Sequence, residues 1–463
     1  MARRSKDAVP TSRVARSARL GGLAAGQAAR QAGTRAANLT RNEEAAEAAM
    51  SSRQLQAAEQ IVTALGSMKG VAMKIGQVLS FLDVGFVGAE HREQFQAKLA
   101  ALRDSAPNVS FKDMRKVVEG EYGEKLGRVF AEFEETPIAA ASIGQVYRAR
   151  LHDGRDVAVK VQYPGVAAAV RADMQNLGII LRLAKSVAPG LDVRAVGHEI
   201  RERIDEELDY ELEAGNQRTL GRIYAGHPFV VIPAVVTDLS REKVIVSEYV
   251  TGRGFEVMKA LPQVERDRIG EIVFRFYFGS MYRYRQFSGD PHPGNMLLLD
   301  DERMAFFDFG LFKRIAPEVA EFELQVARLG VERRGADMIE HLYRGGLIGD
   351  PGAYTAEGVL QQFDDFSRWH TRDAEVALRP EVATAVMLTM SDPRSPYFGQ
   401  MRKETLPPDH VFGRRLEMLT LAVMSQLRAK GNWHRVEREW LYGDEPRTAL
   451  GRAEQAWAGT RTG

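Results

Sequence analysis

The sequence predicts an α+β fold of two lobes, with a helical extension ahead of them and a second lobe that is mostly helical. Three observations carry this expectation. Apolar residues at Leu55, Val62, Leu65, Met68, Ala72, Ile75 and Leu79 recur at three- and four-residue steps, a helical stripe. Gln145 to Leu151 and Asp156 to Gln162 read as two strands, and the Asp153-Gly154 pair between them is a hairpin signal. Beyond Gly310 helical spacing prevails to the end of the chain.

Taken in order, residues 1–42 form a basic arm: nine Lys or Arg from Arg3 to Arg41 stand against one acid, Asp7. Val14, Leu20 and Leu23 interleaved with Arg13, Arg16 and Arg19 would suit a short basic amphipathic helix or a solvated tail, and the Arg-rich, acid-poor start also suits an organelle transit peptide. Residues 43–130 are the helical extension, in which Ser110 followed by Asp113 marks the capped start of a helix towards Glu121. Residues 131–252 hold the two strands, helical spacing from Ala167 to Phe229, and a further strand at Val244 to Val250. Residues 253–463 are the second lobe. It opens with an aromatic-rich helix, Leu261 to Tyr284, whose first turn tolerates Pro262, and continues with short apolar strands at Met296 to Leu299 and Met304 to Phe307.

Composition narrows the function classes. A chain of 463 residues with 44% hydrophobic content can bury a large core, and a formal net charge of +1 gives no overall signature of a nucleic-acid binder. With no cysteine, disulfides, thiolate nucleophiles and cysteine metal sites are excluded. The longest apolar run, Val382 to Met390, is about half of the roughly 18–20 residues that a membrane span needs. The expectation is a cytoplasmic protein with no transmembrane helix, touching anionic membrane at most peripherally through its basic arm.

The strongest chemical signal is Asp290-Pro291-His292-Pro293-Gly294-Asn295, followed after a short hairpin by Asp308-Phe309-Gly310. Transfer of a γ-phosphoryl group needs a carboxylate to orient or deprotonate the acceptor, a neutral oxygen ligand for metal, and a second carboxylate to hold Mg²⁺ against the phosphates. Asn295 lies five positions after Asp290 (295 − 290) and Asp308 eighteen (308 − 290), the spacing of protein-kinase-like folds. Asp290 is thus the candidate catalytic residue, and Asn295 and Asp308 the candidate metal ligands. Between its prolines, His292 fits a structural hydrogen bond within the loop better than a metal-ligand role.

In Asp156 to Val161, period-two alternation sends Val157, Val159 and Val161 to the core and Ala158 with Lys160 to the opposite face. There a small residue leaves room for an adenine and the ammonium reaches towards phosphates, although such a strand could by itself carry any snorkelling lysine. Ala139, Ala140, Ala141 and Ser142 stand where a glycine-rich turn would cover the phosphates; alanine restricts φ and blocks the closest backbone approach.

The alanine loop, the Val-Ala-Val-Lys strand, Glu207-Leu208-Asp209-Tyr210 with Glu213 and Asn216, the Asp-Pro-His-Pro-Gly-Asn loop and the Asp-Phe-Gly together resemble the UbiB/AarF family of atypical kinases linked to coenzyme Q. Lys74-Ile75-Gly76-Gln77 matches that family's Lys-x-Gly-Gln element, and the resemblance spans roughly residues 9 to 310. It implies ATP or ADP with Mg²⁺ as ligands. It further implies that Glu213 pairs with Lys160, that Glu207 and Asp209 meet Lys74 and Gln77 of the extension over the acceptor position in a regulatory role, and that Glu248 and Val250 form the hinge that hydrogen-bonds adenine.

Departures shape the expected activity. His-Arg does not precede Asp290, and no Ala-Pro-Glu follows Gly310, so the usual peptide platform is unsupported. The expectation is an atypical Mg²⁺-dependent ATP-binding kinase or ATPase acting on or supporting lipid or isoprenoid-quinone metabolism rather than phosphorylating proteins. The alternatives are an aminoglycoside- or choline-kinase-like phosphotransferase, which shares the Gly289 to Asn295 loop, and a nucleotide-sensing scaffold with little turnover.

Overall fold

The computed structural model describes residues 109–141, 143–174, 206–391, 395–397, 404 and 408–461. Lys74, Gln77, Ser142, the basic arm and the Leu55 to Leu79 stripe lie outside them. The described residues form two compact units: one runs to Glu211 and adds Val236–Ser247, and the other comprises Leu212–Val235 and the chain from Glu248 onward.

In the first unit, α1 (Phe111–Tyr122) begins where expected, because the Ser110 hydroxyl accepts from the Asp113 N–H at 3.3 Å and caps the helix. It ends at Gly123, whose φ of +69° suits the left-handed cap. A four-residue turn, α2 (Leu126–Val129), leads into β1 (Glu132–Phe133), β2 (Ala139–Ala140), β3 (Gly144–Arg150) and β4 (Asp156–Gln162). After α3 (Val166–Met174) and the start of α4 (Tyr210–Ile223), β6 (Val244–Glu248) returns to this sheet, whose order is β1-β3-β4-β6 with β2 on β3. Val157, Val159 and Val161 are buried, as their alternation requires. Phe111 and Phe133 pack on buried Tyr147, so the helix covers the end of the sheet.

Two expectations need correction here. Ala139 and Ala140 are not a free loop but a strand paired with Val146 and Gln145. Helical spacing also does not run unbroken to Phe229: α4 stops at Ile223, and Val230–Val231 is β5, in parallel register with Met304 and Ala305.

The second unit is built on α6 (Gln263–Gly279), which follows the short α5 (Phe255–Lys259). Pro262 is its N-cap rather than a first-turn residue, because its φ of −52° and ψ of 153° precede the helix. Phe274, Phe276, Tyr277 and Phe278 are buried within the unit's large apolar core, and Phe276 stacks on Phe306 at 3.8 Å. The helical hydrogen-bond pattern widens to a π-turn over Ser280–Tyr284, then Arg285 turns left-handed and releases the chain into β7 (Gln286–Ser288). β8 (Met296–Leu298) and β9 (Met304–Phe306) form a hairpin beside β5, and β10 (Phe312–Arg314) pairs back with β7. The described residues of the remainder are helical as expected: α7 (Pro317–Val331), α8 (Gly335–Arg344), α9 (Ala356–Thr371), α10 (Pro380–Ser391), α11 (Pro408–Leu427), α12 (Trp433–Leu441) and α13 (Ala449–Gly459), joined by the minor pair β11 (Val376–Ala377) and β12 (Lys430–Gly431).

One buried charge cluster ties this helical region together. His370 of α9 contacts Glu437 Oε2 at 2.9 Å through Nδ1 and Glu417 Oε1 at 3.0 Å through Nε2. Burial alone would lower its pKa, but Glu437 and Glu417 outweigh that and hold it up at about 10. A folded pKa above the unfolded value of about 6.5 contributes stability that is complete below that value and disappears as pH rises through the folded one. The urea midpoint difference between wild type and His370→Ala is therefore expected to narrow steadily from pH 6.5 to 10; a constant difference would mean that packing alone accounts for it.

Candidate functional site

Strand pairing brings the two sequence motifs of the second unit together. Asp290 follows β7, and Asp308 lies in the link between β9 and β10; because β7 pairs with β10 through Ser288 and Phe312, both acids leave the same ribbon end. The Gly289 N–H donates to Leu311 O at 2.8 Å and closes that end. Asn295 directly precedes β8, whose Met296 pairs with Phe306, and its carbonyl accepts from the Phe307 N–H at 2.9 Å. Asp290, Asn295 and Asp308 are thus carried to one place by two antiparallel pairings. Tyr277 of α6 senses it from beneath. Burial pushes its phenol pKa far up, and the negative charges of Asp290 and Asp308 push it further.

The loop geometry is specific. His292 accepts from the Gly294 N–H at 3.0 Å through Nδ1 and starts the single 3₁₀ turn Pro293–Asn295, the structural bond its setting implies. Asp308 has φ of +60°, a left-handed conformation that costs a non-glycine residue energy and is concentrated at functional sites. Its Oδ1 accepts from the Gly310 N–H at 3.3 Å, which turns the backbone sharply there. A Cβ on Gly310 would lie 3.7 Å from Glu213 Oε2, so buried Glu213 borders the Asp-Phe-Gly turn. Asn216, one helical turn further along α4, donates to Phe309 O at 3.2 Å and holds that turn against the helix.

In the first unit, Lys160 is half-buried on β4 with its Nζ 5.0 Å from the ring centroid of Tyr210. The neighbouring strand closes tightly. Ala141 N–H donates to Gly144 O at 2.8 Å, and a Cβ on Gly144 would come within 2.2 Å of Val161 O, so only glycine fits there. Gln162 Nε2 donates to Leu208 O at 2.7 Å and so anchors the Glu207 to Asp209 segment to the end of β4. That segment precedes α4 rather than continuing it, so Glu207 and Glu213 do not share one helix. Lys160 and Glu213 fall in different units, and the partners expected for Glu207 and Asp209, Lys74 and Gln77, lie outside the described residues.

At the end of β6, the Glu248 N–H is already donated to Ala234 O at 2.8 Å, while the Val250 N–H makes no hydrogen bond among the described residues. Gly252 follows, where a Cβ would lie 2.7 Å from Leu298 O; glycine there allows Arg253 to bridge to Leu298. Sequence reasoning missed Arg415 of α11, whose Nη2 donates to Asp290 Oδ1 at 3.4 Å. It also missed Tyr277, which it had counted only as one aromatic among several.

A sheet unit carrying a strand lysine, and a helical unit in which a loop Asp, an Asn and an Asp-Phe-Gly converge, define a protein-kinase-like fold. The family comparison agrees: residues 101–333 match the ABC1 atypical kinase-like domain. The chain belongs to this family of UbiB/AarF-type atypical kinases. It is 32% identical over 276 residues to the mitochondrial atypical kinase COQ8B of Rattus norvegicus, covering 59% of this chain and 52% of that one. It is 30% identical over 342 residues to the chloroplastic protein Activity of BC1 complex kinase 8 of Arabidopsis thaliana, covering 72% and 44%. The chain thus spans about half the length of these curated relatives. The solved complex of Rv3197 with erythromycin from Mycobacterium tuberculosis shares 30% identity at a TM-score of 0.61, covering 85% of this chain and 98% of that one. Among the described residues no helix is long and apolar enough to cross a membrane.

Proposed function

We propose that this chain is a Mg²⁺-dependent ATP-binding phosphotransferase or ATPase that acts on or supports the metabolism of lipids or isoprenoid quinones rather than phosphorylating proteins. The observation that carries it is the convergence of Asp290, Asn295 and Asp308 at the joined ends of β7, β8, β9 and β10. The donor set suits the ion. Among the described residues there is no cluster of three or more His, Cys, Asp or Glu that could cage a metal, whereas one carboxylate and one carboxamide suit Mg²⁺, which keeps most of its ligands as water and nucleotide phosphate oxygens. When bound, the ion offsets the phosphate charge.

The remaining roles follow from the chain's own residues. Asp308 and Asn295 would hold the ion, and Asp290 would orient the acceptor. Lys160 would meet the phosphates below the Ala139 to Ser142 segment. The Val250 N–H, which makes no hydrogen bond among the described residues, would receive adenine together with the Glu248 carbonyl. Lys74 and Gln77 would meet Glu207 and Asp209 over the acceptor position and exclude peptides. The kinase names of the curated relatives support phosphoryl chemistry, and the erythromycin complex of Rv3197 supports a small molecule rather than a protein as ligand.

In thermal unfolding, MgATP should raise the Tm of wild type and leave Asp308→Asn almost unmoved, since saturation at 100 times Kd is worth about 2.7 kcal/mol. Equal shifts would remove the proposed metal site. Hydrolysis measured with and without Mg²⁺, lipid vesicles and isoprenoid phenols tests the activity itself, and absence of turnover under every condition would overturn it.

A further inference from the structure

We infer that Arg415 is a positioning residue for Asp290, an inference that rests on the phosphoryl-transfer reading above. Its guanidinium orients the carboxylate and offsets the charge that would repel an incoming phosphate.

The contact is specific and shielded. Arg415 Nη2 lies 3.4 Å from Asp290 Oδ1, with the side chains 11% and 19% exposed, so solvent and salt screen the pair weakly. Nothing in the loop could do the same: Pro291, His292, Pro293 and Gly294 include no Lys or Arg, and His292 is committed to Gly294. The cation arrives instead from a helix 125 positions away. α11 is held firmly enough to place it, since Leu416, Leu421 and Met424 are fully buried in the unit's core.

The geometry divides the two carboxylate oxygens. Oδ1 is engaged by Arg415, and Oδ2 makes no hydrogen bond among the described residues, which leaves it to accept from an acceptor hydroxyl. A carboxylate placed beside triphosphate oxygens without a counter-charge would oppose the developing negative charge of the reaction; a fixed guanidinium removes that opposition without moving during the step. Lysine at this position would keep the charge but lose the planar, directed donor.

The test compares wild type, Arg415→Lys and Arg415→Gln, the last keeping a polar but shorter and uncharged side chain, and the Tm of each variant shows that folding is retained. Turnover, nucleotide Kd and Tm are measured on the full chain with MgATP. The expected result is a kcat lowered on the order of 10- to 100-fold in Arg415→Gln, the loss of one charge-assisted hydrogen bond, with nucleotide Kd within about twofold of wild type and partial recovery in Arg415→Lys. Wild-type kcat in Arg415→Gln, equal losses in both variants, or a Kd that weakens in step with kcat would each overturn the inference while leaving the proposed function standing. No turnover by wild type would overturn both.

Discussion

Asp290→Asn is expected to reduce phosphoryl transfer or hydrolysis by about 10²- to 10⁴-fold, the range that a positioned acid or base contributes, while MgATP affinity changes little. The substitution keeps the side chain's shape and its reach to Arg415, so the β7–β10 ribbon and the His292 turn should persist. What it removes is the negative charge that accepts an acceptor proton or fixes an attacking hydroxyl. Because Asp308 and Asn295 rather than Asp290 are proposed to hold the metal, the split between kcat and Kd is diagnostic. Radiolabelled turnover and isothermal titration on the same preparations read it. A Kd weakened as much as kcat would place Asp290 among the metal ligands, and unchanged turnover would remove it from the site.

Much of this site was legible because its parts are local. The Ser110 cap, the alternation that buries Val157, Val159 and Val161, and the hairpin between Asn295 and Asp308 are decided by residues within a few positions of one another, where sequence spacing is a direct measure of geometry. Other features hid for equally physical reasons. Nothing in the run from Phe274 to Tyr284 marks where helical bonding gives way to the π-turn, because aromatics that pack on the core occur on both sides of Gly279. Ala139 and Ala140 have little strand propensity of their own and are strand only because β3 offers an edge. Arg415 has no local signal at all: adjacent Arg414 lines a different surface, and only the packing of α11 selects which arginine meets Asp290.

The last expectation concerns Arg275, on the same helix as Tyr277. Its side chain is fully buried and makes a two-pronged contact with Glu439 of α12, Nη2 to Oε1 at 2.7 Å and Nη1 to Oε2 at 2.8 Å. It also meets Glu454 of α13 at 2.9 Å and Glu271 at 2.7 Å, while Arg283 meets Glu454 at 3.2 Å. Burial alone would lower the guanidinium pKa, but these carboxylates raise it instead. One cation thus joins α6, α12 and α13, and Gly451 makes room for it, since a Cβ there would lie 2.5 Å from Arg275 Nη2. Arg275→Met would leave Glu439 and Glu454 buried with Arg283 as their remaining arginine partner, and half-buried Glu271 with Thr448 alone among the described residues. Removing one member of a buried pair typically costs about 3–5 kcal/mol, so the urea midpoint should fall by a corresponding amount. The uncompensated charge, not the lost arginine volume, is the cause. Adding Glu439→Met should therefore recover part of the loss. Nucleotide affinity, measured below the unfolding transition, should stay near wild type, because the network lies among α6, α12 and α13 and includes none of the proposed site residues. A double variant less stable than the single one would show that packing, rather than charge, holds these helices together.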